Sequence, residues 1–397
     1  MELPRLFAPL PPEARRLMDG IPALIDKVFP APGRFRSALP ADVAELSRLL
    51  TSGRGERGLS YLGRPPMLSA YLRYFLPWNL YRLCRLLPGL DIRLAANDHV
   101  TDLGCGPLTF AAALWMSRPD LRAIPLEFHC IDRSGPALDA GKKFFAVLAG
   151  GGPWKMHTVK GGIDTAKMKP AALVCAVNVF NEMFGDFSRC NADAMKRNAE
   201  KSARLLASYA AASSSVLVVE PGFPRCGEFI SLLRSEFIGR GRQPLSPCPH
   251  NDACPFPAGI SKAGAKKRWC HFSFETDDAP AALRKLSTAA GIPKERAVLS
   301  FLLAGPANPN ADPPTPVLRV ISDAFPLPQN RFGRYCCSRQ GLVLLGRKKD
   351  IIERTASGSL VNAIFTKGGI DPKSGALEAE FSMSNNHESQ GNRIIDL

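Results

Sequence analysis

The stretch His99-Val100-Thr101-Asp102-Leu103-Gly104-Cys105-Gly106-Pro107-Leu108-Thr109 decides the fold. Its first five residues read as a strand, two glycines then free the backbone for a tight turn, and a helix is predicted from near Phe110. The D-x-G-x-G pattern is not the dinucleotide fingerprint G-x-G-x-x-G, yet its glycines let the backbone approach a ligand closely. A second strand, Leu126 to Ile131, ends at Asp132, 26 positions after Gly106. A carboxylate there is placed to accept hydrogen bonds from both hydroxyls of a ribose. Together the turn and the acid point to nucleotide or cofactor binding rather than a plain turn in an α/β sheet.

Outward from this turn, strand-like segments at 99–103, 126–131, 155–160, 171–179 and 215–220 alternate with helical ones. That rhythm predicts an α/β fold with a parallel sheet covered on both faces. A helix is expected over Cys226 to Ile238, another over 279–290, and a sixth strand over Ala297 to Leu303. Val317 to Ile321 and Gly341 to Leu345 read as two strands flanking a turn at Cys336-Cys337. Upstream, helical patterns alternate with prolines, and Met67 to Leu87 places large apolar residues three and four apart. From about residue 354 the composition turns to Ser, Gly, Asn and mixed charge, which reads as disorder. The expected division is a helical N-terminal domain (1–95), a Rossmann-like core (96–238), a cysteine-rich insertion (239–275), a C-terminal part of the core (276–350) and a disordered tail (351–397).

The insertion carries Pro247-Cys248-Pro249-His250-Asn251-Asp252-Ala253-Cys254-Pro255-Phe256 and then Trp269-Cys270-His271-Phe272. Thiolates on a proline-stiffened loop in a C-x5-C-x15-C array suit an iron–sulfur cluster or zinc. The paired C-x2-C knuckles usual for zinc are absent, and the long spacings favour a four-iron cluster, with zinc the alternative. A fourth thiolate is available from Cys336-Cys337. His250 and His271 are further candidate ligands, although histidines in such turns more often satisfy a backbone hydrogen bond. Trp269, Phe272 and Phe274 are expected to shield the site.

The net charge of +15 points to a polyanionic partner, nucleic acid first. Basic residues flank the cysteines: Arg240, Arg242, Lys262, Lys266, Lys267 and Arg268, then Arg331, Arg334, Arg339, Arg347, Lys348 and Lys349. No apolar run reaches the roughly 18 residues of a membrane span. Eleven scattered cysteines do not form the layout of a secreted disulfide scaffold, so reduced thiols are expected. Glu2, Glu13, Asp19 and Asp26 argue against a secretory signal or an acidic-poor transit peptide. The expected setting is a bacterial cytoplasm, with the mitochondrial matrix as alternative, and the expected free state is a monomer.

The glycine turn with Asp132 resembles the S-adenosylmethionine loop of class I methyltransferases. With the cysteines, it makes the chain similar to the methyltransferase-like proteins of the mitochondrial small ribosomal subunit and their bacterial relatives. Ser69 to Pro77 resembles that family's helical approach to the core, Phe180-Asn181-Glu182-Met183 its fourth-strand terminus, and Glu220 to Pro224 its fifth-strand turn. The likeness spans about residues 60 to 350, and the Cys-Pro-His and Trp-Cys-His-Phe strings are its most specific part. It implies a class I core holding S-adenosylmethionine through Asp102, Gly104, Cys105, Gly106 and Asp132. It also implies a [4Fe-4S] cluster on Cys248, Cys254, Cys270 and Cys337, the last chosen because Ser-Arg-Gln-Gly follows it, and small-subunit ribosomal RNA as partner. Candidates for catalysis are Asn181 and Glu182, which could equally cap the following helix. Their turn, Asn181-Glu182-Met183-Phe184, lacks the two prolines of amino-methylating enzymes. Two readings stand: an rRNA methyltransferase acting in ribosome biogenesis, or an assembly factor using the fold as an RNA-binding scaffold. A methyltransferase with a structural zinc site is the remaining alternative.

Overall fold

Strand β1 (His99–Leu103) is buried on both sides from Val100 onward, as a central strand must be, and β2 (Glu127–Asp132) and β4 (Ala171–Val177) pair with it in parallel. The computed structural model describes residues 6–51, 53, 61–165, 168–184, 190–256, 268–307, 317–353 and 355–381. β3 (Lys155–Lys160), β5 (Ala210–Pro221), β6 (Arg242–Ser246), β7 (Phe272–Glu275) and β8 (Arg296–Pro306) complete the sheet in the order β3-β2-β1-β4-β5-β8-β6, with β7 also on β8. β8 runs antiparallel to both of its neighbours along this order, β5 and β6. An open parallel sheet that reverses order at β1/β4 and inserts one antiparallel strand before the last is the class I methyltransferase arrangement.

Helices α5 (Thr109–Ser117) and α6 (Gly135–Ala149) bury one face of the sheet, packing on Val100, Phe128 and Cys130. Ser134 caps α6 by accepting the Ala137 N–H, and Gly150 at φ +61° ends it. Helices α8 (Ala192–Tyr209) and α9 (Pro224–Gly239) cover the other face over β4, β5 and β8, against Val174, Val218 and Leu302. The short α7 (Phe180–Met183) follows β4. The predicted N-terminal helices are α1 (Pro12–Val28), α2 (Gly33–Leu50), α3 (Pro65–Ala70) and α4 (Leu76–Leu86), the last two joined by a π-helical turn, Tyr71–Phe75. Their apolar stripes, including Met18, Ile21, Leu72 and Leu80, extend the α5/α6 core. α10 (Ala281–Ala289) precedes β8. Among the described residues no helix is long and apolar enough to cross a membrane.

The C-terminal region from β9 onward departs from expectation. β9 (Val317–Val320), β10 (Phe325–Leu327), β11 (Arg331–Ser338), β12 (Gly341–Lys348), β13 (Leu360–Ile370) and β14 (Leu377–Phe381) form a second sheet rather than part of the core. It closes on itself as β9-β11-β12-β14-β13-β9, with α11 (Lys349–Glu353) between its third and fourth strands. Only β12 and β14 pair in parallel. A five-stranded closed barrel in the order 1-2-3-5-4-1 is the topology of the OB-fold. Leu318, Val320, Cys336, Val343, Leu345, Val361 and Ala379 fill it, and Ile352 of α11 joins them.

Three expectations are corrected here. Cys336-Cys337 sits inside β11, and the chain reverses at Arg339-Gln340 instead. The tail expected to be disordered from 351 is ordered through 381, where α11, β13 and β14 close the barrel; residues 382–397 lie outside the described set. The barrel core is so small that its strands leave only brief apolar patterns between Ser- and Gly-rich turns, which sequence reading takes for disorder. Finally, β6 and β7 belong to the core sheet, so the cysteine segment is a loop between two core strands and not a separate insertion.

Candidate cofactor and metal sites

Gly104 and Gly106 both adopt positive φ, +66° and +53°. A β-carbon on Gly104 would lie 2.6 Å from Val179 Cγ2, so the turn admits no side chain there. The Gly104 and Cys105 N–H groups donate to the Ile131 carbonyl, drawing the turn onto the end of β2. Asp132 receives the Gly106 N–H (2.8 Å) and the Ser134 N–H (2.7 Å), one on each oxygen, and burial pushes its carboxyl up. Each carboxylate oxygen keeps a second lone pair for a ribose hydroxyl. Cys105 turns its thiol under the loop beside Cys130 and Asp102, so that only its backbone faces the crevice.

Asp102 is buried beneath the turn. Cys175 donates to its Oδ1 at 3.4 Å, while Oδ2 makes no hydrogen bond. Burial lifts this carboxyl to about 8. The small pocket beside it is lined by Tyr71, Asn79, Gly104, Val177 and Asn178. Tyr71 and Asn79 come from the N-terminal helices, a contribution sequence reading missed. Asn178 sits at φ +57° and donates to Asn79 Oδ1.

Asn181 and Glu182 lie on α7 at the same mouth. The α7 amides of Phe180 and Asn181 donate to buried Glu220, at 2.8 Å and 3.2 Å, and burial raises Glu220 to about 8. Asn181 is itself buried. Glu182 is half exposed and receives the Tyr61 hydroxyl at 3.4 Å; burial pushes the Tyr71 phenol up, and the nearby Glu182 charge adds to this. Glu220 was legible only as part of a turn, and nothing in its sequence position marks it as the acceptor that fixes α7.

Cys248, Cys254, Cys270 and Cys337 converge. The first three come from the loop between β6 and β7, and Cys337 from the outer face of β11. Burial raises the thiols of Cys248, Cys270 and Cys337, and charge on the neighbouring sulfurs raises each further. Strand alternation turns Cys336 the other way, into the barrel core. Two buried arginines face the thiols. Arg234 donates to Cys248 Sγ (3.2 Å) and to the His250 and Asp252 carbonyls. Arg319 donates to the Pro247 and Gly358 carbonyls and is brought down to about 10 by burial, the nearby thiols opposing this. His250 places Nε2 3.4 Å from Cys337 Sγ, whereas His271 stacks on Trp269 and turns Nδ1 to the Trp269 carbonyl. Gly227 of α9 gives the loop its close seat: a β-carbon there would come within 2.9 Å of the Cys270 carbonyl.

The basic belt around the cysteines is only partly free. Arg334 is buried and donates to the Ile352 and Ser322 carbonyls, Arg242 braces the Ala211 and Ser214 carbonyls, and Arg240 and Arg339 pair with Glu236 and Asp252. Arg331 and Lys348, cross-strand neighbours on β11 and β12, are exposed. Lys262, Lys266 and Lys267 lie outside the described residues.

Residues 193–324 match the family described as mitochondrial small ribosomal subunit Rsm22. Over that segment the chain is similar to the Rsm22 family. The Rsm22-like segment runs from α8 past β9 and includes Cys248, Cys254 and Cys270, with Cys337 beyond its end. Among solved structures, a putative methyltransferase from Thermoplasma acidophilum is 12% identical over 54% of this chain and 71% of its own, with a TM-score of 0.30. Magnesium protoporphyrin IX methyltransferase (ChlM) from Synechocystis PCC 6803, with bound SAM, is 10% identical over 53% and 71%, with a TM-score of 0.31. A complex of the Haloferax volcanii Trm112 methyltransferase activator and the putative methyltransferase gives 11% identity over 66% and 98%, with a TM-score of 0.31. No curated protein matches the sequence.

The buried carboxyl of Asp102 generates a test. Its unfolded form ionises near 3.8 while the folded form stays neutral to about 8, so folding takes up a proton between these values. Stability contributed by this group is therefore lost as pH rises through that window. Asp102→Asn is expected to raise the melting temperature of the ligand-free protein, more at pH 8 than at pH 5, while weakening cofactor binding. Thermal unfolding with the same pH slope in both proteins would overturn this reading of Asp102.

Proposed function

We propose that this chain is an S-adenosylmethionine-binding, iron–sulfur-containing, methyltransferase-like factor that acts on small-subunit ribosomal RNA in ribosome biogenesis. The observation that carries the reading is the four-thiol pocket. Three of its sulfurs fall within the Rsm22-like segment, and two buried guanidiniums face it. Four thiolates around a [4Fe-4S]²⁺ core carry a net charge of about −2, which the two arginines offset. A Zn²⁺ ion would leave the same charge, so spacing discriminates. Tetrahedral zinc holds its sulfurs about 3.8 Å apart, from a Zn–S bond of about 2.3 Å. Among the described residues no three of these sulfurs lie within 4.8 Å of one another, which favours the larger cluster. Such a centre would pin the barrel to the core, because Cys337 alone comes from the barrel.

In the crevice, Asp132 would take the ribose hydroxyls, the Gly104–Gly106 turn would accommodate the adenosine side closely, and the unpartnered Asp102 oxygen would meet the cofactor's ammonium group. The cofactor supplies a sulfonium-activated methyl group, so the protein's task is alignment more than general-base help. Glu182, at the mouth beside Tyr71, is the residue placed to orient an acceptor. A second reading, a cofactor-binding scaffold without turnover, is favoured by one observation: Asn181 is buried, and its backbone N–H donates to buried Glu220, which fixes α7 in place.

The barrel supports RNA as partner. OB-folds bind oligonucleotides on strands two and three, here β11 and β12. That face carries Arg331 and Lys348 at one end, and Tyr335 packed against a tilted Phe325 ring (4.9 Å) and under Arg268 (4.7 Å) nearer the core. Cations beside aromatic faces suit unpaired nucleotides. We place the protein in the mitochondrial matrix or a bacterial cytoplasm, where small subunits assemble.

Anaerobically purified protein is expected to hold about four irons and four sulfides with a band near 400 nm. Cys337→Ser should lose them and Cys336→Ser should keep them; one zinc and no colour would overturn the cluster. Replacing both Arg331 and Lys348 with alanine should shallow the salt dependence of single-stranded RNA affinity, log K against log salt, by about 1.4, or roughly 0.7 for each phosphate no longer neutralised. An unchanged slope would move RNA off this face. Labelled methyl transfer to isolated small subunits separates the two catalytic readings: incorporation supports turnover, and cofactor binding without it supports the scaffold.

A further inference from the structure

Between β3 and β4 the described part of residues 161–170 contains no helix, and α8 and α9 cover their face of the sheet only over β4, β5 and β8. The starts of β1 and β2 are therefore only partly covered on that face, at His99, Glu127 and His129, although Thr101 between them is buried, and β3 has no fully buried residue. A parallel sheet covered on both sides carries apolar residues at such positions. Here the register instead aligns polar ones: His99 opposite Glu127, Glu127 opposite Lys155, and His129 opposite His157. Further along the same face, Leu103 and Ile131 return to the apolar core. The polar patch is thus confined to the partly covered end.

Its geometry is that of a ligand set. The imidazole centroids of His99 and His129 are 5.6 Å apart, and those of His129 and His157 are 5.1 Å apart and nearly parallel. One donor atom from each of His99, Glu127 and His129 lies within 4.8 Å of the other two. His99 Nδ1 is shut off from water 3.4 Å from Glu127 Oε2, yet makes no hydrogen bond. A buried ring nitrogen without a partner costs free energy that a bound cation would recover. Lys155 Nζ, 3.6 Å from the other Glu127 oxygen, is the cation nearest this carboxylate.

We propose that His99, Glu127 and His129 form a binding site for a first-row divalent transition metal, zinc being the best chemical match. Two imidazoles and one carboxylate are borderline donors that suit Zn²⁺ and not calcium or magnesium. Three protein ligands leave a fourth position, for which His157, stacked on His129, is the nearest donor. The metal would staple β1 to β2 at the end of the sheet opposite the Gly104–Asp132 crevice. This proposal is independent of the cofactor and RNA readings, and its donors share no residue with the thiol pocket.

Cobalt separates the two sites, because thiolate-bound Co²⁺ shows sulfur charge-transfer absorption in the near ultraviolet and nitrogen–oxygen-bound Co²⁺ does not. Tag-free full-length protein, isolated with its thiol pocket as purified, would be titrated with Co²⁺ and then with competing Zn²⁺. The expected result is one site with visible d–d bands and no thiolate band, displaced by zinc. Its affinity should fall by about a hundredfold or more in His129→Ala and Glu127→Gln, since loss of even an outer-shell partner typically costs about 10–100-fold. His99→Ala, at the half-exposed first position of β1, provides the same test should His129→Ala not fold. Equal affinity in wild type and in His99→Ala or Glu127→Gln, or cobalt bound only through sulfur, would overturn the site.

Discussion

The buried guanidiniums of Arg234 and Arg319 constrain the junction between the two halves of this molecule more than any apolar contact does. Hydrogen bonds to backbone carbonyls satisfy their N–H groups but leave their charge unanswered. A cation removed from water without a counter-charge is costly by several kcal/mol, and among the described residues neither arginine has a carboxylate hydrogen-bond partner. The sulfurs lie closest to both guanidiniums, and the exposed Asp252 carboxylate also interacts with Arg234. From that need follow the seat of the cysteine loop on α9, with Gly227 leaving room for the Cys270 carbonyl, and the docking of β11 so that Cys337 faces inward.

The crevice shows the opposite arrangement. Asp102 and Glu220 are both acids held neutral by burial near physiological pH, and among the described residues neither forms a salt bridge with a cation, although Arg82 lies near Glu220. Glu220 is compensated by the α7 amides it receives, so it organises the fourth-strand turn. Asp102 has only a thiol donor and one bare oxygen. A group that weakens the empty fold and points into a pocket is what a ligand-binding position costs when the ligand is away.

The parts of this architecture legible in sequence were those written in local pattern. The apolar runs of β4 and β5, the two glycines after β1 and Asp132 at the end of β2 identify themselves because a central parallel strand is buried on both sides and its turn has few permissible residues. Cys248, Cys254 and Cys270 stand out by spacing. What was not legible depends on register or on distant partners. The choice between Cys336 and Cys337 is a matter of which face of β11 each occupies. Tyr71 and Asn79 reach the crevice from helices far upstream. β6 and β7 are too short to show a period, and the barrel closes through strands whose interior residues number only one or two apiece. The charge count overstated the free basic surface, since Arg234, Arg319 and Arg334 are buried inside the protein.

The position of Cys337 also bears on the order of events during synthesis. The chain is made from its N-terminus, so the sheet core and three of the four thiols are available while the barrel has yet to be translated. Until β9 and β11 are made and pair, the pocket remains three-sided and lacks Arg319, which β9 itself carries. The four-thiol pocket is thereby a late checkpoint: it can close only on a polypeptide that has been translated, and folded, past β11.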